Sequence, residues 1–206
     1  MRKSRAETAE TRRRIIEIAS QAFRSQGIEA TGVAQIMATA GLTHGGFYRH
    51  FSSKEELVAE AVAIGLEQLV LKSEGAAKQG PQAALNHALD YLSSTHRDDV
   101  EHGCTFAAAG SELARADEKT RHIASESFKR TLKGLAPFMR TSANEDPTSA
   151  AISVLTNMIG ALTMARLVDD AALSDQILQA TRERLTQAMN VVTQEITEDD
   201  VELESG

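Results

Sequence analysis

A chain of 206 residues is long enough for one or two domains with a buried core, and its 29 acidic against 22 basic side chains give a net charge of −7. That balance excludes indiscriminate binding to polyanions, while a single cysteine excludes an internal disulfide framework and fits a reducing compartment. The basic start, MRKSRAE, has no apolar stretch behind it, so no secretory signal is expected, and no unbroken apolar run approaches the roughly 18–20 residues of a membrane span.

Three prolines, a low aromatic content and few alternating β-branched residues point to an all-α chain of about nine helices. The charge is unevenly placed. Residues 1–57 hold nine Lys or Arg and six Asp or Glu, a net of +3 that leaves −10 for the remainder. A basic leading portion on an acidic body fits a reader of phosphates joined to something that is not one.

In chain order, residues 1–7 read as a basic arm whose Arg2, Lys3 and Arg5 suit either a DNA groove or plain solvent. From Thr8 to Gln26, Ile15, Ile18, Ala19, Ala22 and Phe23 recur at helical spacing, and Gly27 marks the stop. Thr31 and Gly32 precede a short helix with Val33, Ile36, Met37 and Ala40 on one face. Gly41 supplies a left-handed turn, and Leu42 has an apolar side chain to bury there. Thr43 is a good N-cap for a helix over 43–50. Phe47 and Phe51 are four apart and face inward, which leaves Thr43, His44, Tyr48, Arg49 and His50 to the outer surface and the ends. Two helices across a tight glycine turn make either a plain helical hairpin or a helix-turn-helix, whose second helix enters the DNA major groove. In the second case the leading helix completes a three-helix DNA-binding unit.

Ser53 and Glu56 have capping-box spacing, so a helix is expected over 53–72, with Leu57, Ala61, Ile64, Gln68 and Leu71 along one face. Lys54 then stands at a helix N-terminus, where a phosphate is favoured. GAAKQG at 75–80 is a break, and Pro81 opens a helix to about residue 96 with Leu85, Ala88, Leu89 and Leu92 inward. A polar loop over 96–103 leads to a helix at 104–115 with Phe106, Gly110 and Leu113 inward. Asp117 caps the next, which carries Ile123, Phe128, Leu132, Leu135 and Met139 and is kinked or ended by Pro137. Asp146-Pro147 opens a helix to about Val168 with two apolar rows, one of Ile152, Leu155, Ile159 and Leu162, the other of Ala151, Val154, Met158, Ala161 and Ala165. A helix apolar on two faces must be covered on both. The last helix, 174–197, carries Ile177, Leu178, Leu185, Ala188, Met189, Val192 and Ile196. Helices 147–168 and 174–197 are thus a candidate isologous interface between two copies, the other reading being a central helix buried within one. The expected division is 1–57, 58–198 and an acidic, disordered tail at 199–206.

The set Ile36, Ala40, Gly41, Leu42, Thr43, Gly45, Tyr48, His50, Phe51, Lys54 and Glu55 stands at fixed offsets that resemble the TetR family of bacterial transcriptional repressors. The likeness is close over residues 8–72 and extends beyond only in helical layout and length. Met37 and Leu42 depart mildly from the family pattern. The resemblance implies an N-terminal helix-turn-helix unit followed by a helical ligand-binding and dimerisation domain. It implies a cytoplasmic homodimer that represses from a palindromic operator in double-stranded DNA and is released by a small-molecule effector, without cofactor or catalysis. Base reading would fall to Thr43, His44, Gly45, Gly46 and Arg49, phosphate contact to Tyr48, His50 and Lys54, with Thr31 and Gly32 at a helix start beside a phosphate. Thr31 reads equally well as a cap alone. Candidate pocket residues are Tyr91, Phe106, Phe128, Met158 and Arg166, and ligand binding would tilt the 53–72 helix.

Cys104 follows Gly103 at an expected helix N-terminus near His102, a setting that lowers a thiol pKa. A few similar repressors sense electrophiles or oxidants through a cysteine so placed, which makes a sensing repressor the alternative to one with a reversible ligand. The plain reading is a small buried hydrophobe. His96, His102 and Cys104 lack a fourth ligand and a recognised zinc spacing, so no metal is expected. No nucleophile elbow, phosphate loop, His-Glu-x-x-His or Cys-x-x-Cys pattern argues for an enzyme. A helical small-molecule-binding protein without regulation is the remaining class, disfavoured by the basic motif.

Overall fold

The computed structural model describes residues 5–141 and 146–189. Arg2 and Lys3 of the arm, Val192 and Ile196 of the last expected helix, and the tail 199–206 lie outside the described residues. Among the described residues the chain forms nine α-helices, two short 3₁₀ segments and no strand. The expected all-α architecture, with its helix-turn-helix near the N-terminus, is what the chain adopts.

Helix α1 (Arg5–Gln26) ends where Gly27 turns to a φ of +89°. Helix α2 (Val33–Thr39) is N-capped by the backbone of Gly32 and closed by the turn at Gly41, whose φ of +70° is readily reached only without a Cβ. The 3₁₀ segment η1 (His44–Arg49) follows. An α-helix is expected over 43–50, but paired glycines at 45 and 46 each cost helix stability of about 1 kcal/mol, and only six residues adopt the tighter helix. Thr43 holds the cap position without a side-chain hydrogen bond.

Helix α3 (Lys54–Lys78) starts on Ser53, whose hydroxyl accepts from the Glu56 amide at 3.3 Å. The reciprocal bond comes from Ser52, whose amide donates to the Glu56 carboxylate at 2.7 Å. The helix runs six residues past its expected end, through Gly75, and stops only at Gly80. Helix α4 (Pro81–Tyr91) opens on its proline, as expected. Within the expected polar loop, Ser93 caps a single extra turn, α5 (Ser94–Asp98). Helix α6 (Thr105–Leu113) begins on Cys104, and α7 (Glu118–Leu135) on Asp117, whose carboxylate accepts from the Thr120 amide at 3.0 Å. Pro137 lies in η2 (Ala136–Phe138), which ends α7. Asp146 caps α8 (Pro147–Leu167), and Asp170 caps α9 (Ala171–Ala188), three residues ahead of its expected start.

Two apolar cores result. The N-terminal one joins Ile15, Phe23, Ile36, Met37, Phe47 and Phe51 to Leu57, Val62 and Leu66 of α3 and to Leu113 of α6. The second is built by α4 and α6 to α9 around Leu92, Leu155, Leu162, Leu178 and Met189, with Leu69 of α3 packed against it. Helix α3 therefore belongs to both cores, and a boundary at 57/58 would cut inside it. Helix α8 is long and apolar enough to cross a bilayer, with a mean hydropathy of 1.4 over an 18-residue window, although Ser, Thr and Asn interrupt any unbroken apolar run, as the sequence indicates. One face of it packs in the core through Ala151, Leu155, Met158, Leu162 and Ala165.

Candidate nucleic-acid interface and effector cavity

The outer surface of η1 is held by what lies beneath it. Phe47 and Phe51 are buried and stacked, ring centroids 5.4 Å apart, so successive residues between them turn outward. Tyr48 is 68% exposed, standing edge-on to Phe47 at 5.3 Å and to His44 at 6.4 Å. Thr43, His44, Gly45 and Arg49 are exposed with it, and Gly46 is half-buried. His50 is half-buried, and its carbonyl accepts from Arg12 Nε at 3.1 Å. Arg12 also pairs with Glu56 and Glu60 of α3 and lies 4.5 Å over the Phe51 ring, which clamps the end of η1 to α3. Lys54, at the first position of α3, reaches the Glu29 carbonyl at 3.3 Å.

One expected contact is removed. Thr31 has no exposed surface, and its hydroxyl donates to the Gly27 carbonyl at 2.6 Å. It neither caps α2 nor meets a phosphate, because it ties α2 back onto the end of α1. Gly32 is the exposed residue at that helix start. The glycines of η1 have no structural need to be glycine. A Cβ at Gly45 would meet nothing within 4 Å, and one at Gly46 would make ordinary contact with Met37 at 3.6 Å.

The second site is a slot between α3, α4, α6, α7 and α8. About 660 Å³ of space lies within its walls, open solvent at the mouth included, but little of it is wide enough to admit a water molecule. Tyr91, Cys104, Phe106 and Met158 line it, as the sequence suggests for Tyr91, Phe106 and Met158. Phe128 does not; it stands behind Phe106, edge-on at 5.8 Å. Arg166 is also outside the wall, because its guanidinium is turned to the α5 turn, where Nε and Nη2 donate to the carbonyls of Arg97 and His96, both at 2.9 Å. Sequence reading missed Leu69, Ser73, His87 and Leu155. Ser73 falls just past the expected end of its helix, whereas His87 sits at helical spacing between Ala84 and Tyr91, a stripe that could have been read.

Cys104 follows its plain reading as a small buried hydrophobe rather than the sensing alternative. It does stand at a helix start, but it is 1% exposed, and burial pushes the thiol up from its ordinary range. His102 is exposed and directs its ring to Asp99 at 2.9 Å. The thiol is neutral, without the activation an electrophile sensor needs. Burial likewise holds His87 and His96 below the usual histidine range and raises the Tyr91 phenol. Among the described residues no three His, Cys, Asp or Glu converge to hold a metal.

A family profile described as bacterial regulatory proteins, tetR family, matches residues 15–61, from mid-α1 into α3. Residues 15–61 thus carry the TetR-family pattern. Among its relatives, the transcriptional regulator AcrR of Shigella flexneri is 28% identical over 141 residues, covering 63% of this chain and 64% of AcrR. The transcriptional regulator TtgR of Pseudomonas putida is 45% identical over 58 residues, 28% of either chain. The matched stretch thus spans less than two thirds of either relative. In fold, the crystal structure of the reduced form of NemR from E. coli superposes with a TM-score of 0.75 at 16% identity, over 88% of this chain and 97% of that one. The family's members are DNA-binding transcriptional regulators rather than enzymes.

Proposed function

We propose that this protein is a cytoplasmic TetR-family repressor that binds a palindromic operator as a homodimer and leaves it when a small molecule fills the slot beside Tyr91. Residues 1–57 would be the DNA-reading unit and the body that follows the effector-binding and dimerisation unit. The bases would be read from Thr43, His44, Gly45, Gly46 and Arg49, with Tyr48, His50 and Lys54 on phosphates and Gly32 offering a helix start. The observation that carries this reading is the outer face of η1. It is exposed, aromatic and basic, fixed from below by Phe47 and Phe51, and its glycines answer no packing need inside the chain.

Dimerisation is supported by what α8 leaves uncovered. Ile152, Met164 and Leu167 of α8 and Leu173 of α9 are large apolar side chains exposed to solvent, Leu167 to 71%. Gly160 lies on the same exposed side with nothing near its Cβ position, leaving room for another helix. The acidic body and the small net basic charge of the reading unit fit two heads held on one non-binding scaffold. Selection of operator DNA by the protein and titration of the selected duplex with and without Tyr48→Ala tests the reading. The variant is expected to lose at least about tenfold in affinity across all sequences. Equal affinity would contradict the docking.

A further inference from the structure

The wall of the slot selects its occupant by charge and by shape. Among the described residues no Asp, Glu, Lys or Arg lines it, and its one histidine, His87, is kept neutral by burial. A cation entering it finds no carboxylate, an anion finds no guanidinium, and a buried unpaired charge is strongly disfavoured. Arg166 is not on the wall: two of its nitrogens are held by backbone carbonyls of the α5 turn, and Nη1 is buried without a partner among the described residues.

Most polar groups of the wall are already engaged. Ser73 donates to the Leu69 carbonyl at 3.1 Å and lies 3.1 Å from His87 Nε2. Thr131 donates to the Ser127 carbonyl at 3.0 Å. Tyr91 is different: its side chain is buried, and its hydroxyl oxygen is sealed from solvent without a hydrogen-bond partner. Its neighbour on the wall is the Cys104 thiol, a weak partner. A stronger acceptor than the thiol would take the O–H of Tyr91. The slot is also narrow, since little of its space is wide enough to admit a water molecule.

We infer that the occupant is an uncharged, flat or slender apolar molecule carrying one oxygen acceptor, which takes a hydrogen bond from the Tyr91 hydroxyl. This deepens the effector reading above and rests on it for the location of the site. Calorimetric titration of the full chain with four naphthalene probes tests it: naphthalene, the ketone 2-acetylnaphthalene, 2-naphthoate and 2-naphthylmethylammonium. The ketone is expected to bind, with both charged probes at least about 100-fold weaker. Tyr91→Phe is expected to weaken the ketone about 5- to 10-fold and to leave naphthalene unchanged, which also reports that the slot survives the substitution. Absence of ketone binding, charged probes within about threefold of it, or an unchanged ratio of ketone to naphthalene in Tyr91→Phe overturns the inference. Should that variant not fold, the ranking of neutral against charged probes on the unaltered chain decides alone. Adding each probe to the operator complex separates the two readings. Ketone binding without release of DNA leaves the ligand class standing and removes its role as effector. Release by the charged probes as effective as release by the ketone overturns the ligand class.

Discussion

At Gly45 a methyl group would meet no atom of this chain, and the residue is outside the left-handed region that favours glycine. Alanine there is expected to leave stability unchanged or raise it by up to about 1 kcal/mol while lowering operator affinity at least about tenfold. Thermal melting beside a DNA titration measures both, and loss of stability with intact DNA binding would mean that the glycine serves the fold. His87 and His96 give a second prediction at this scale. Both are depressed by burial, so the stability gained from keeping them neutral is complete above the unfolded histidine pKa of 6.5 and is lost as pH falls toward their lower folded values. Melting temperature should therefore decline between about pH 6.5 and 5, above the range where carboxylates protonate. Replacing both histidines with asparagine should flatten that segment, and an unchanged slope would assign it elsewhere. Residue identity was also where the sequence misled most. Arg12, Arg14 and Arg24 count toward the basic leading portion, yet each is engaged within the chain, by Glu56 and Glu60, by the Ala40 carbonyl, and by the Glu101 carbonyl at 2.6 Å. Thr31 was misplaced for the same reason. Residue type and local spacing state which chemistry a side chain can do but not whether solvent reaches it.

Elements carry the connection between the two sites. Arg24 of α1 is buried and donates to the Glu101 carbonyl and, at 2.8 Å, to Ser20, which in turn donates to the Ala61 carbonyl of α3 at 2.8 Å. Glu101 lies three residues before Cys104, so the same short segment touches the DNA-binding unit at one end and the slot at the other. Gly65 of α3 permits this approach: a Cβ there would stand 2.6 Å from Arg24 Nη1 and 2.8 Å from Thr105 Oγ1. Gly65→Ala is expected to cost about 1–3 kcal/mol by forcing that cluster apart. A denaturant midpoint equal to that of the unaltered chain would show that α1 and α6 yield freely. The helices themselves were legible because apolar spacing, Asp and Ser caps, Gly27, Gly41 and Pro81 all act locally. The slot was less so. Ser73, His87 and Leu155 come from three helices, and only their packing brings them to one wall.

For the whole molecule, the account requires two reading heads on one acidic scaffold. Leu167→Glu on the exposed face of α8 should shift the dimer toward monomer in sedimentation without lowering helicity, because the side chain touches no core of its own copy. With Lys54 on a phosphate and Arg49 bringing a second cation into the groove in each head, four charges per dimer, operator affinity should fall with a log–log salt slope of magnitude about 3.6 or greater. The central claim is tested most directly by letting the protein select from random-sequence duplex DNA and titrating the enriched sequence. The expected product is an inverted repeat with half-site centres about 34 Å apart or a multiple of that, bound by the unaltered chain and at least about tenfold more weakly by Tyr48→Ala. Failure to enrich any sequence, or an enriched sequence bound equally by Tyr48→Ala, would contradict it.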